Sequence, residues 1–164
     1  MTLEFFDICR VLVFTTAFPS LPSSSYVKKH WNRAYKRLLI CEKVAREARK
    51  QGVNIPLAAA VAARETRFSN STSTKGAKGP LGVIAKYHCP KGPIKNCNYI
   101  RAGVKALKTY LKLNEHDLCP TLAQYNRGNK GVCKEGRSEY SYAQDVLELY
   151  ERACAEAPSL CAEC

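Results

Sequence analysis

Asn54-Ile55-Pro56-Leu57-Ala58-Ala59-Ala60-Val61-Ala62-Ala63-Arg64-Glu65-Thr66-Arg67-Phe68 reads as one helix that carries a carboxylate on its apolar stripe. Asn54 suits the cap, because its side-chain oxygen takes up a backbone N–H that the first turn leaves unpaired. Pro56 suits the first turn, where a missing N–H costs nothing. Leu57, Ala58, Val61, Ala62 and Glu65 recur at helical spacing and share one face. Glu65 therefore stands among apolar neighbours close to the helix C-terminus, where the macrodipole is negative. Both circumstances disfavour the ionised carboxylate and predict a raised pKa. A carboxyl that stays protonated near neutral pH is what a general acid needs. The competing reading is an ordinary glutamate paired with Arg64 or Arg67.

Outward from this helix the pattern stays helical. Trp31, Tyr35, Leu38, Cys41, Ala45 and Ala48 fall at steps of three and four, and Gly52 is a natural stop. Lys and Arg fill the opposite face of that helix, as do Glu42 and Glu47. Ile100, Val104, Leu107 and Leu111 form another stripe. A short helix is expected from near Pro120 to Asn126, closed by Gly128, and a last one over Tyr142, Val146, Leu149, Tyr150 and Ala153. Ser69 to Gly82 and His88 to Asn98 read as loops, rich in Ser, Thr, Gly, Pro and Lys. Alternating β-branched runs are absent, so the fold class is mainly α, with little or no sheet.

The chain has 164 residues, enough for one domain with a real core. Its 26 Lys and Arg against 14 Asp and Glu give a formal charge of +12. That balance favours an anionic partner or surface, such as nucleic acid, acidic lipid or an anionic cell-surface polymer. The cations are spread along the chain, which excludes a block-charged tail. Nine cysteines are many for this length. Zinc sites need closely spaced pairs, and only Cys161 and Cys164 form a CxxC, so disulfides in an oxidising compartment are the better expectation. Without Cys9 the count is even. Cys89 and Cys97 flank one Pro/Gly loop, and Cys119 and Cys133 flank Tyr125, so local bridges are expected for both pairs.

Cys9 precedes a short apolar run, Val11 to Phe18, followed by a Pro/Ser-rich stretch from Pro19 to Ser25. Two readings stay open. The run is an export signal, with residues 1–25 a signal and linker and a mature chain starting between Phe18 and Tyr26, or it is a buried N-terminal strand or helix. It is too short to span a bilayer as a helix. The catalytic domain is expected over residues 26–164.

The residues after the carboxylate carry a resemblance. Glu65-Thr66-Arg67-Phe68 and then Lys75-Gly76-Ala77-Lys78-Gly79-Pro80-Leu81-Gly82 resemble the opening motifs of the soluble lytic transglycosylase catalytic domain. That family carries Glu-Ser-x-Phe, then Lys-Gly-Ala-x-Gly-Leu-Met-Gln. Ala123-Gln124-Tyr125-Asn126-Arg127-Gly128 is similar to its Ala-x-Tyr-Asn-x-Gly. Ile100-Arg101-Ala102-Gly103 is similar to its Asn-Ile-x-x-Gly helix, with Asn98 one position away from the expected Asn. Tyr142-Ala143-Gln144-Asp145-Val146 resembles its closing Tyr-Val-x-x-Val helix. The motifs run in the family's order from about Pro56 to Ala153. Four positions depart from it: Thr66 replaces Ser, Pro80-Leu81 replaces Leu-Met, and Gly82 replaces a Gln that helps shape the saccharide cleft.

The resemblance implies a lysozyme-like helical domain with a saccharide cleft, cutting the β-1,4 link between N-acetylmuramic acid and N-acetylglucosamine in peptidoglycan strands. Glycosidases usually use two carboxylates; this family uses one. Glu65 would act as acid and then as base, giving a 1,6-anhydro sugar, with no metal and no cofactor. Tyr125 would hydrogen-bond the Glu65 carboxyl. Thr66, Phe68, Gly79, Leu81, Gly82 and Asn126 would line the substrate site. The expected locale is the cell envelope, whether periplasmic, secreted or virion-associated, and the expected state is a monomer without a membrane span. His30, His88 and His116 are scattered and read as surface groups. Two other functions remain open. One is a hydrolytic muramidase with a second acid among Glu115, Asp117 and Glu139. The other is a non-catalytic basic protein that binds cell wall, lipopolysaccharide or nucleic acid.

Overall fold

A computed structural model describes residues 3–17, 24–89, 96–128 and 133–161. Within them the chain is mainly helical: α1 (Leu3–Ala17), α2 (Ser24–Gln51), α3 (Ile55–Thr66), the short α4 (Ala85–His88), α5 (Tyr99–Leu113), α6 (Leu118–Arg127) and α7 (Ser138–Glu156). The sheet is one antiparallel pair, β1 (Ala77–Lys78) with β2 (Val83–Ile84), in the register Ala77 to Ile84 and Lys78 to Val83.

Of the expected helix ends, the Asn54 cap and the Gly52 and Gly128 stops are observed, while α6 starts at Leu118 behind an Asp117 cap, ahead of the expected start near Pro120. Asn54 Oδ1 accepts from Leu57 N at 3.0 Å, and Asn98 Oδ1 accepts from Arg101 N at 3.0 Å. Gly128 closes α6 in the left-handed conformation, and its N–H reaches Gln124 O at 2.7 Å. Helix α3 departs from a one-sided stripe. Every residue from Ile55 to Ala63 is buried, because α1, α2 and α7 all pack on it. Ala58, Ala59, Ala60, Ala62 and Ala63 make that possible, since methyl side chains let several helices approach one axis. The stripe on α2 divides instead. Cys41, Ala45 and Ala48 are wholly buried, while Trp31 and Tyr35 stand half exposed.

Leu3–Ala17 takes a place in the core. Phe5, Ile8, Cys9, Leu12 and Val13 are buried, and Cys9 is bonded to Cys41 of α2. Cys9 is therefore not the odd cysteine that the count suggested. The Pro19–Ser25 stretch lies mostly outside the described residues, and Ser24 already belongs to α2. The expected bridges Cys89–Cys97 and Cys119–Cys133 are present, and Cys154 pairs with Cys161. Cys164, the CxxC partner of Cys161, lies outside the described residues. Among those residues no helix is long and apolar enough to cross a membrane.

Candidate active site around Glu65

Helix α3 ends where Arg67 and Phe68 both turn to positive φ, at 53° and 58°. The strain is held by backbone bonds: Arg67 N donates to Ala63 O at 3.0 Å and Phe68 N to Ala62 O at 3.4 Å. This hook buries the Phe68 ring completely and sends the chain back along the helix. Thr66 fixes the return. Its hydroxyl donates to Pro80 O at 2.9 Å and accepts from Ser69 N at 3.1 Å.

The returning loop brings Gly82 against the carboxylate. A Cβ at Gly82 would stand 2.7 Å from Glu65 Oε2, and φ there is +63°, so the backbone favours glycine and any side chain would push the carboxyl aside. The glutamine of the similar family could not occupy the position without displacing the loop or Glu65. Gly103 of α5 supports the loop from below. A Cβ there would meet Leu81 Cβ at 2.5 Å and Val83 Cγ2 at 3.1 Å. Leu81 is thereby seated in the core and its neighbour Gly82 is set beside Glu65. Gly79 lies against the Tyr99 side chain at the start of α5.

Two tyrosines complete the cluster, with roles that differ from the expected ones. Tyr142 Oη, from α7, donates to Glu65 Oε1 at 2.6 Å. Tyr125 Oη, from α6, donates instead to Leu81 O at 2.6 Å. The carboxyl is oriented by Tyr142, and Tyr125 ties down the loop. Sequence reasoning placed Tyr142 on the last helical stripe and in the closing motif of the resemblance, without a role at Glu65. The missed signal is that a buried tyrosine needs a partner for its hydroxyl, and α7 packs on α3. Arg64 does not neutralise Glu65 by a direct ion pair. Its Nε bonds Asp145 Oδ2 at 2.8 Å, and its guanidinium lies 5.5 Å from the Tyr142 ring centroid.

Burial raises the Glu65 pKa, against the smaller opposing effects of the Tyr142 hydrogen bond and the Arg64 charge. Burial first, and the nearby Glu65 charge second, push both tyrosines well above the usual phenol value, so both remain donors. Glu65 as a residue is only partly buried.

The structure brings Glu65, Gly82 and Tyr125 together, the last through Leu81. Phe68 and Leu81 are wholly buried, so they shape the site from beneath and present no surface to a saccharide. Thr66 is a latch, and Asn126 is exposed near the end of α6. The acids considered as second catalysts are engaged elsewhere or open to solvent. Asp117 caps α6, Glu139 lies 3.6 Å from Arg127, and Glu115 is exposed. His88 is not a plain surface group: burial lowers its pKa, and its ring packs edge-on to Tyr110. Among the described residues no cluster of His, Cys, Asp and Glu could hold a metal ion. No family model, characterised protein or solved structure matches the chain.

Proposed function

We propose that the chain is a lytic transglycosylase that cleaves peptidoglycan with Glu65 as its single acid and base. The observation that carries this reading is a lone, partly buried carboxyl whose pKa is raised and whose Oε1 is held by Tyr142 at 2.6 Å. The order of the surrounding motifs supports it. With Oε1 engaged, Oε2 beside Gly82 is the oxygen that carries the exchangeable proton. Glu65 gives that proton to the glycosidic oxygen as the C1–O bond breaks. The resulting carboxylate takes the proton of the C6 hydroxyl as that oxygen attacks C1. One bond breaks, one forms, the proton returns to Glu65, and no water is consumed. Four disulfides suit an oxidising compartment, so the proposed place of action is the cell envelope.

The test is mass spectrometry of a peptidoglycan digest, because hydrolysis adds one water to the product and this reaction adds none. In parallel, Glu65→Gln keeps shape and hydrogen-bonding capacity but supplies no proton. It should slow cleavage by about 10³–10⁴-fold, the upper range for acid–base assistance, since one group serves both steps. A folded Glu65→Gln protein that cleared cell walls at the wild-type rate would overturn the assignment.

A further inference from the structure

The cations are dispersed in sequence, yet the fold gathers a set of them away from Glu65. A depression of about 1160 Å³ is framed by the end of α2, by α4 and by the outer face of α5. Neither Glu65 nor Tyr125 nor Tyr142 lines it. Among the described residues its charged lining is Lys50, Arg101, Lys105, Lys108 and Lys112, with Glu47 as the lone carboxylate. Glu47 already accepts from Gln51 Nε2 at 2.6 Å.

The four cations of α5 stand at i, i+4, i+7 and i+11, which places them on one helical face. They span about 16 Å at 1.5 Å per residue. Helix α5 contains no acidic residue, so this face carries repelling like-charge neighbours with no compensation along the helix. Two of the five lining cations have structural tasks. Lys108 Nζ donates to Gln51 O at 2.5 Å, and Lys50 sits in the last turn of α2, where the dipole favours it. Arg101, Lys105 and Lys112 are exposed, and none takes part in the ion pairs of the described residues.

A row of uncompensated cations along a groove fits a linear ligand with regularly spaced negative charge. A groove for single-stranded nucleic acid would interleave its cations with free aromatic faces for stacking bases. Here Tyr110, on the same helix, is packed edge-on between His88 and Tyr125, and Tyr87, the exposed ring of the lining, stands on α4 rather than in the α5 row, with Lys86 Nζ 5.7 Å from its ring centroid. The disulfides suit a compartment outside the reducing cytosol. We propose that the α5 groove binds a linear phosphodiester polymer of the cell envelope, with Arg101, Lys105 and Lys112 facing successive phosphates. The groove is separate from Glu65, and only the choice of an envelope polymer as its ligand rests on the proposed place of action.

The experiment is a fluorescence-anisotropy titration of the oxidised full chain with a labelled poly(glycerol phosphate) chain at several salt concentrations. Arg101→Gln/Lys105→Gln/Lys112→Gln is compared with Lys28→Gln/Lys36→Gln/Lys43→Gln, a triple set of exposed positions on α2 that removes the same charge. Circular dichroism verifies both folds. The groove variant should bind at least about tenfold more weakly at low salt. Its plot of log affinity against log salt should flatten by roughly two, at about 0.7 for each phosphate that is no longer neutralised. The α2 variant should weaken by less than about threefold, and Glu65→Gln should bind as wild type. Equal weakening in the two triple variants would mean a diffuse charge effect and overturn the groove. So would unchanged binding in both. A single-stranded oligonucleotide of equal charge that bound as tightly as the polymer, through the same three residues, would overturn the envelope polymer as the ligand.

Discussion

Glu65 and Tyr142 form the smallest unit whose behaviour follows from its chemistry. The Tyr142 hydroxyl stabilises the ionised form of Glu65, so it works against the burial that raises the pKa. Tyr142→Phe should therefore raise the Glu65 pKa further. On the proposed mechanism the rate falls at alkaline pH as the protonated acid is lost, and that limb should move to higher pH. Folding stability at neutral pH should drop by about 1–2 kcal/mol, as a largely buried acceptor loses its donor. Tyr125→Phe supplies the contrast. It frees the Leu81 carbonyl, should cost about 1 kcal/mol, and should leave the alkaline limb in place. A pH–rate profile beside chemical denaturation separates the two variants. A second consequence is a pH dependence of stability. Glu65 has a raised folded pKa, so the folded state binds its proton more tightly than the unfolded state. The stability this contributes is fully present below the ordinary carboxylate value and is lost as pH rises through the folded value. Glu65→Gln should abolish that slope and gain stability near neutral pH. The carboxyl itself was legible in the sequence because burial on a helix stripe and raised pKa are both local properties. Its hydroxyl partner was not, because Tyr142 lies 77 positions away and only the packing of α7 on α3 joins them.

The elements hold the site through one close approach. Loop 69–82 passes over α5 at Gly103, and the missing Cβ there is what seats Leu81 and presents Gly82 to Glu65. Gly103→Ala should raise the helix propensity of α5 by about 1 kcal/mol. The added methyl nevertheless falls 2.5 Å from Leu81 Cβ, a backbone-anchored atom that cannot swing aside. The net expectation is a loss of about 1–3 kcal/mol from overpacking. Cleavage should fall more than the stability loss alone explains, since Gly82 moves relative to Glu65. Urea unfolding and digestion rates on one sample measure both. A Gly103→Ala protein as stable and as active as wild type would mean that the approach does not position the loop. At this scale the helices were largely readable, because caps such as Asn54 and Asn98 and stops such as Gly52 and Gly128 act over three or four residues. The burial of α3 on every side was less so. A run of alanines looks like a mild stripe until three other helices are known to surround it.

The whole molecule is tied together by the N-terminal helix, and its apolar run is where sequence left two readings in balance. A signal h-region and a buried helix share the same composition, and only long-range packing distinguishes them. Residues Phe5, Ile8, Leu12 and Val13 fill space between α2, α3 and α7. A cut between Phe18 and Tyr26 would remove all four and leave Cys41 with a free thiol in the middle of the core. The Cys9–Cys41 bond also closes the longest loop of the four bridges, with a separation of 32 residues against 14, 8 and 7. In the chain-entropy account a loop of that length contributes about 3–4 kcal/mol, and the shorter ones about 2–3. Cys9→Ser/Cys41→Ser should thus be the most destabilising of the four paired replacements. It should lower the denaturation midpoint without changing the cleavage product, because neither cysteine approaches Glu65 in the described hydrogen-bond network. Non-reducing peptide mapping of the protein recovered from its native source provides the direct check. A Cys9–Cys41 peptide means that α1 stays with the domain it helps to build. A free Cys41 thiol on a chain beginning after Ala17 would mean that the domain folds around a core missing its first helix.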